Sequence, residues 1–187
     1  DAGRCNAAVS IPVPTTSDNC GVASVVNNFN NGTDASDTYP VGTTTVVWTV
    51  TDDNGNTATC SIDVTVNDNT LPSVSCPASL TIDITSGTSE VVNGIDPVVS
   101  DACGVATTTY RLSNGATGNN SASGLSFDLG TTTVTYIATD VNGNTDSCQF
   151  DVTIRFVSSD ILDCPADVNT TTDAGLCLAV VNNIVPI

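Results

Sequence analysis

Oxygen-bearing side chains crowd two short stretches of this chain. Asp52, Asp53, Asn54 and Asn56 stand together, and Asp140, Asn142 and Asn144 repeat the arrangement 88 positions later. Carboxylate and amide oxygens at alternate positions are what a calcium loop presents, because Ca²⁺ takes about six to eight hard oxygen ligands. The same residues also spell D-x-N-G-N, a hairpin turn in which Asn-Gly supplies positive φ angles. The glutamate that closes an EF-hand loop is missing. A second arrangement would pair a linker residue, Asp68 or Asn69, with a turn residue such as Asp18 or Asp101. A calcium ion held there would stiffen the connection between neighbouring domains.

The eight cysteines include no C-x-x-C pair, and the chain has no histidine. That combination argues against zinc and for disulfides. Disulfides persist in oxidising compartments, so the expected location is extracellular, periplasmic or on a cell surface. Catalysis finds little to work with. His and Lys are absent and Glu90 is the sole glutamate, which excludes Ser-His, Cys-His and Ser-Lys nucleophile systems. Paired aspartates can hydrolyse glycosides, but no pair here stands apart from the turn chemistry that already accounts for it. The lack of lysine also excludes Lys-Asn isopeptide crosslinks. The expectation is a protein that is not an enzyme.

The elements that position these residues are written twice. Thr43 to Val66 reads TTTVVWTVTDDNGNTATCSIDVTV, and Thr131 to Ile154 reads TTTVTYIATDVNGNTDSCQFDVTI, displaced by 88 residues. Each copy alternates with period two, turns at D-x-N-G-N and leaves as a second alternating run, so each predicts a β-hairpin with one buried side. The alternation assigns Val46, Trp48 and Val50, and Val134, Tyr136 and Ala138, to core-facing sides. After the turn, Cys60, Ile62, Val64 and Val66 share a face, as do Cys148, Phe150, Val152 and Ile154. No stretch sustains a helical period.

At 187 residues there is room for roughly two domains of about 90 residues. Three Arg against nineteen Asp and one Glu give a formal charge of -17, which makes nucleic acid and anionic membranes poor partners. Part of the Asp excess is the turn preference of an all-β chain. No apolar run approaches the roughly 20 residues of a membrane span, and no signal peptide is present. Asn31, Asn119 and Asn169 fit the N-glycosylation pattern, which matters only for a eukaryotic source.

Three units are predicted. Residues 1–69 form a domain lacking its first strand, residues 70–157 a complete domain, and residues 158–187 the start of a third, so the chain reads as a piece of a longer tandem array. Strands are expected near Ala7 to Val13, Val22 to Val26, Leu80 to Ile84, Val91 and Val92, Val105 to Leu112 and Leu125 to Leu129. The stretch Ser113 to Gly124 is expected to be a loop, and the short join Asn67 to Cys76 to limit inter-domain freedom. Short alternating strands between polar turns imply immunoglobulin-like Greek-key β-sandwiches in tandem.

Cys76-Pro77 and Cys164-Pro165, the D-N-C-G and D-A-C-G turns at Asp18 and Asp101, Val41 to Val46, Gly130 to Val134 and the T-D-x-x-G-N-T-x-x-C hairpins together resemble the hyalin repeat, or HYR domain. The D-A-G-x-C motif at Asp1 to Cys5 returns at Asp173 to Cys177, and this variant resembles the arrays of large secreted adhesins of Bacteroidota. The resemblance implies an immunoglobulin-like module used as a spacer or adhesive stalk on a cell surface. First and last strands commonly neighbour each other in such sandwiches, so Cys76 is expected to bond Cys148, with a second bridge from Cys5 to Cys20. Cys103 is then left single, because Ser89-Glu90 stand where its partner would be. Rival schemes pair Cys20 with Cys60 and Cys103 with Cys148, or Cys60 with Cys76. Expected partners are neighbouring repeats of the chain, surface glycans or other chains of a filament. The alternatives to a stalk are a carbohydrate- or calcium-dependent binding module and an accessory domain of a secreted hydrolase.

Overall fold

The computed structural model describes residues 3–158. The expected third unit, with Cys164, Cys177 and Asn169, lies outside the described residues apart from Ser158. The first repeat contains β1 (Asn6–Val9), β2 (Val22–Asn27), β3 (Asp37–Pro40), β4 (Gly42–Asp52) and β5 (Thr57–Val66). The second contains β6 (Ser73–Ser75), β7 (Leu80–Ile84), β8 (Ser89–Val92), β9 (Val98–Ser100), β10 (Val105–Leu112), β11 (Thr117–Asn119), β12 (Leu125–Asp128), β13 (Gly130–Asp140) and β14 (Thr145–Phe156). No helix occurs among the described residues, and the fold is an all-β tandem of sandwiches.

The two hairpins organise both repeats. β4 pairs with β5 so that Val46 faces Ile62 and Trp48 faces Cys60. β13 pairs with β14 so that Val134 faces Phe150 and Tyr136 faces Cys148. β2 and β10 add to the outer sides of β4 and β13, giving the sheets β2-β4-β5 and β11-β10-β13-β14-β7. The β1-β3 and β12-β8 pairs form the opposing layers. Tyr39 of β3 packs with Val46, Trp48 and Val64 across one core, and Val92 and Phe127 meet Val134, Tyr136, Phe150, Val152 and Ile154 across the other. Each core is built from alternate residues of facing strands, which is the arrangement the period-two pattern demands.

The hairpin turns are not two-residue turns. Asp52 N–H donates to Asn56 O and Gly55 N–H to Asp52 O, while Gly55 and Gly143 have φ of 87° and 93° and neither Asn54 nor Asn142 has positive φ. This is the three-residue connection, a turn followed by a left-handed glycine. The carboxylate before the turn takes over the work expected of Asn-Gly: Asp52 Oδ1 accepts from the Asn54 and Asn56 N–H groups, each at 2.8 Å.

Strands were also missed. Thr117–Asn119, inside the stretch expected to be loop, forms β11 against β10, and Ser73–Ser75 in the join pairs with Val98–Ser100. Three-residue strands carry too few alternations to announce themselves.

The second repeat is better covered than the first. Phe150 is 4% exposed and its counterpart Ile62 is 43% exposed. β7 runs parallel to β14 from Leu80/Val152 to Ile84/Phe156, whereas among the described residues no strand pairs with the free edge of β5. Cys60 and Ile62 are left in water for that reason.

Tyr136 joins the layers of the second repeat. Its hydroxyl donates to Ile95 O and accepts from Ala122 N–H, both at 2.9 Å, in a buried setting. Tyr39 makes one such bond, to Ala35 O at 2.6 Å. Tyr136→Phe strands two buried backbone groups and should cost about 1–3 kcal/mol. Tyr39→Phe strands one and should cost less. Urea unfolding of the two variants against the wild type measures the difference.

Candidate functional site

The residues with chemical potential converge at the joint between repeats. β4 has 11 residues, a rise of roughly 33 Å at about 3.3 Å per residue, and it separates two poles of the first repeat. Cys5 lies at the pole where β4 begins, because Val41 N–H donates to Cys5 O at 3.0 Å. Cys20 lies at the other pole, next to Val22, which pairs with Asp52 at the far end of β4. The expected Cys5–Cys20 bridge is therefore incorrect. A disulfide needs Cα atoms within about 7 Å, and β4 holds these two far beyond that.

Cys5 instead bonds Cys103 of the second repeat, with Cα atoms 5.0 Å apart. Cys76 bonds Cys148, with Cα atoms 5.7 Å apart, stapling the entrance to β7 against β14. Cys103, expected to be single, is thus paired, and Cys20 and Cys60 are free and exposed. The rivals Cys20–Cys60, Cys103–Cys148 and Cys60–Cys76 do not form. The residue standing in the place of Cys5 in the second repeat is Thr88 rather than Ser89 or Glu90. Leu129 N–H donates to Thr88 O at 2.9 Å, as Val41 does to Cys5.

Asp68 ties the join to the hairpin tip of the second repeat. Its Oδ2 accepts from Asn142 Nδ2 at 2.9 Å, its backbone oxygen from Asn144 Nδ2 at 3.1 Å and its Oδ1 from Thr70 N–H at 2.9 Å. Asp101 opens the adjacent turn, Oδ1 accepting from Cys103 N–H at 2.7 Å and Gly104 N–H at 3.0 Å. Its Oδ2 is buried with no hydrogen-bond partner. Asp68, Asp101 and Cys103 bring ligand-type atoms within 4.8 Å of one another, although the Cys103 sulfur is committed to Cys5.

Of the sequence-derived oxygen ligands, then, the joint gathers Asp68, Asp101, Asn142 and Asn144. Asp52, Asp53, Asn54 and Asn56 sit at the opposite pole of the first repeat. Asp18 is there too, beside Cys20. The hairpin carboxylates are occupied by donors: Asp140 accepts from Asn142 and Asn144 N–H at Oδ1 and from Asn144 Nδ2 at Oδ2. Sequence reasoning missed the role of Cys103. The signal was present in the distance between the D-A-G-x-C and D-x-C-G motifs along a strand as long as β4.

Asp140 is 2% exposed. Burial by itself would raise its pKa, but the Asn144 side chain and the Asn144, Asn142 and Gly143 backbone N–H groups outweigh burial and hold it below the ordinary 3.8. At Asp52 the Asn56 side chain is the largest cause of a shift in the same direction. A carboxylate with a lowered folded pKa contributes stability that is complete above its unfolded pKa and is lost as pH falls through the folded value. The melting temperature should therefore hold from neutrality to about pH 4 and fall below it. Asp140→Asn should make that fall shallower, as read by thermal melts across pH 2 to 7.

Comparison with known proteins fits this geometry. The HYR domain model matches residues 1–66 and again residues 67–154. Hyalin of Strongylocentrotus purpuratus is 36% identical over 163 residues, 85% of this chain and 13% of that protein. Hyalin of Lytechinus variegatus is 35% identical over 173 residues, 89% of this chain and 30% of that protein. The chain thus spans under a third of either relative. Among solved structures, fibronectin(III)-like modules of Clostridium thermocellum CbhA align over 83% of this chain and 87% of theirs, at 16% identity and a TM-score of 0.38. With one family model matched twice in succession, once on each repeat, the chain belongs to the HYR domain family.

Proposed function

We propose that this chain is a non-enzymatic structural and adhesive segment of a larger extracellular protein, a load-bearing stretch of a stalk or filament as in large cell-surface adhesins such as those of Bacteroidota. The observation that carries the reading is the joint, where a covalent bond and the Asp68 hydrogen bonds couple consecutive repeats. A spacer gains reach when its modules keep a fixed relation, and a disulfide across the join removes freedom that the linker would otherwise retain. Extracellular placement is supported by two disulfides, which need an oxidising compartment. The hyalin relatives are consistent with a repeat from a longer chain.

The second repeat suits tension. β7 and β14 are parallel neighbours, so a pull along them loads several hydrogen bonds together, and Cys76–Cys148 limits how far the chain can extend. A glycan-binding reading has less support. Among the aromatic side chains Phe156 alone is exposed, while Tyr39, Trp48, Phe127, Tyr136 and Phe150 are buried, leaving no aromatic platform.

A divalent cation at the joint is a second element of the proposal. Asp101 Oδ2 is buried and unpartnered beside the Asp68 carboxylate, and two hard oxygen donors facing one space suit Ca²⁺ better than a sulfur-seeking metal. Asp68 and Asp101 would hold it, and the ion would neutralise charge that the join otherwise concentrates. Millimolar Ca²⁺ should raise the melting temperature by several degrees over EDTA, and Asp101→Asn should remove the difference. Equal melting temperatures in Ca²⁺ and EDTA would count against calcium.

Single-molecule pulling tests the load-bearing role. The oxidised chain should give a resolvable unfolding peak. In a Cys5→Ser variant, which removes the bond across the joint, reduction should release the segment closed by Cys76–Cys148, a separation of 72 residues, adding about 26 nm of contour at about 3.6 Å per residue. Extension of the oxidised chain without a force peak would contradict the proposal.

A further inference from the structure

The outward tip of the first repeat duplicates the tip that the second repeat presents to the joint. In the second repeat Asp101 Oδ1 accepts from Cys103 N–H at 2.7 Å and Gly104 has a φ of 108°. In the first, Asp18 Oδ1 accepts from Cys20 N–H at 2.7 Å and Gly21 has a φ of 102°. The adjoining hairpin turns match as well, Asn56 closing on Asp52 as Asn144 closes on Asp140. What differs is the cover. Cys103 is bonded to Cys5, and Asn142 and Asn144 grip Asp68. Asp18, Cys20, Asn54 and Asn56 are all exposed, and the Cys20 thiol is free.

We propose that this tip is a docking face for another HYR repeat, the one directly upstream in the same polypeptide. That repeat supplies a cysteine of the D-A-G-x-C kind to bond Cys20, and a join aspartate to accept from the Asn54 and Asn56 amides. The identity of the occupant follows from continuity with the joint already present. The same scaffold residues that receive Cys5 and Asp68 in the second repeat stand ready in the first. A shallow concavity lined by Ser17, Asp18, Val22, Asp52 and Asn56 lies on this tip. At the far pole of the second repeat the place of Cys5 is held by Thr88, whose backbone oxygen accepts from Leu129 N–H.

Bond formation removes one hydrogen from each thiol. The two electrons pass by thiol–disulfide exchange to a disulfide oxidant of the thiol-oxidoreductase class, which leaves as a dithiol. The inference rests on the array reading only in taking an upstream repeat to exist.

The test is peptide mapping of the full-length native protein, isolated without reduction and with free thiols alkylated at the moment of lysis. The expected result is the Cys20 peptide joined to a peptide containing D-A-G-x-C. In a Cys20→Ser variant that upstream cysteine should become alkylated. Alkylated Cys20, or Cys20 joined to Cys60 or to Cys20 of a second copy, overturns the proposal. If the intact protein ends at these 187 residues, the array reading fails with it. A longer protein with alkylated Cys20 overturns the docking face alone.

Discussion

The length of one strand decides how this molecule can be crosslinked. β4 and β13 are 11 residues each, long enough to span a repeat from pole to pole, and every functional group is fixed to one end or the other. The D-A-G-x-C cysteine rides at the pole where β4 begins, and the D-x-C-G cysteine at the pole where it ends. Two groups held roughly 30 Å apart by a hydrogen-bonded strand cannot meet within a repeat. They meet across the join, because the start pole of one module abuts the end pole of the next. Inter-repeat bonding is thus a consequence of strand length rather than of any special linker.

Two staples divide the labour. Cys76–Cys148 closes a 72-residue separation inside the second repeat and Cys5–Cys103 closes one of 98 across the joint. Loop-closure entropy gives about 4.4 and 4.7 kcal/mol respectively as upper guides to what each removes from the unfolded state's advantage. Their mechanical meaning differs more than their size. The first keeps a module from extending once its terminal strands part, and the second keeps neighbours in register. The formal charge of -17 works against close approach of acidic modules, and the joint answers this locally. Asp68 is surrounded by the amides of Asn142 and Asn144 and by the Thr70 N–H. Among the described residues Asp101 Oδ2 is the one buried side-chain oxygen left without a donor.

Much of the fold was legible because it is written in period two. Val46, Trp48, Val134, Tyr136 and Ala138 are all buried, as alternation required, and the hairpin displacement of 88 carried the tandem organisation. What escaped was not periodic. Asn27 is 1% exposed in a stretch that reads as polar loop. It donates to Asn30 Oδ1, Gly32 O and Asp34 O and accepts from the Phe29 and Asn30 N–H groups, shaping that loop from within. Hydropathy cannot distinguish such a residue from its solvated neighbours. Exposure of Ile62 escaped for the opposite reason: its own strand is well patterned, but burial depends on a neighbour beyond the edge of β5. The site was half legible. Asp68 and Asp101 were named from their place in the join and the turn, while the Cys5–Cys103 bond needed the three-dimensional separation of poles that motif matching ignores.

Peptide mapping of the unreduced chain, with free thiols alkylated before proteolysis, tests the inter-repeat bond directly. The account predicts the Cys5 peptide joined to the Cys103 peptide, alongside Cys76 joined to Cys148. A Cys5–Cys20 peptide, or Cys103 recovered alkylated, would contradict it and return each repeat to a module linked only by its join.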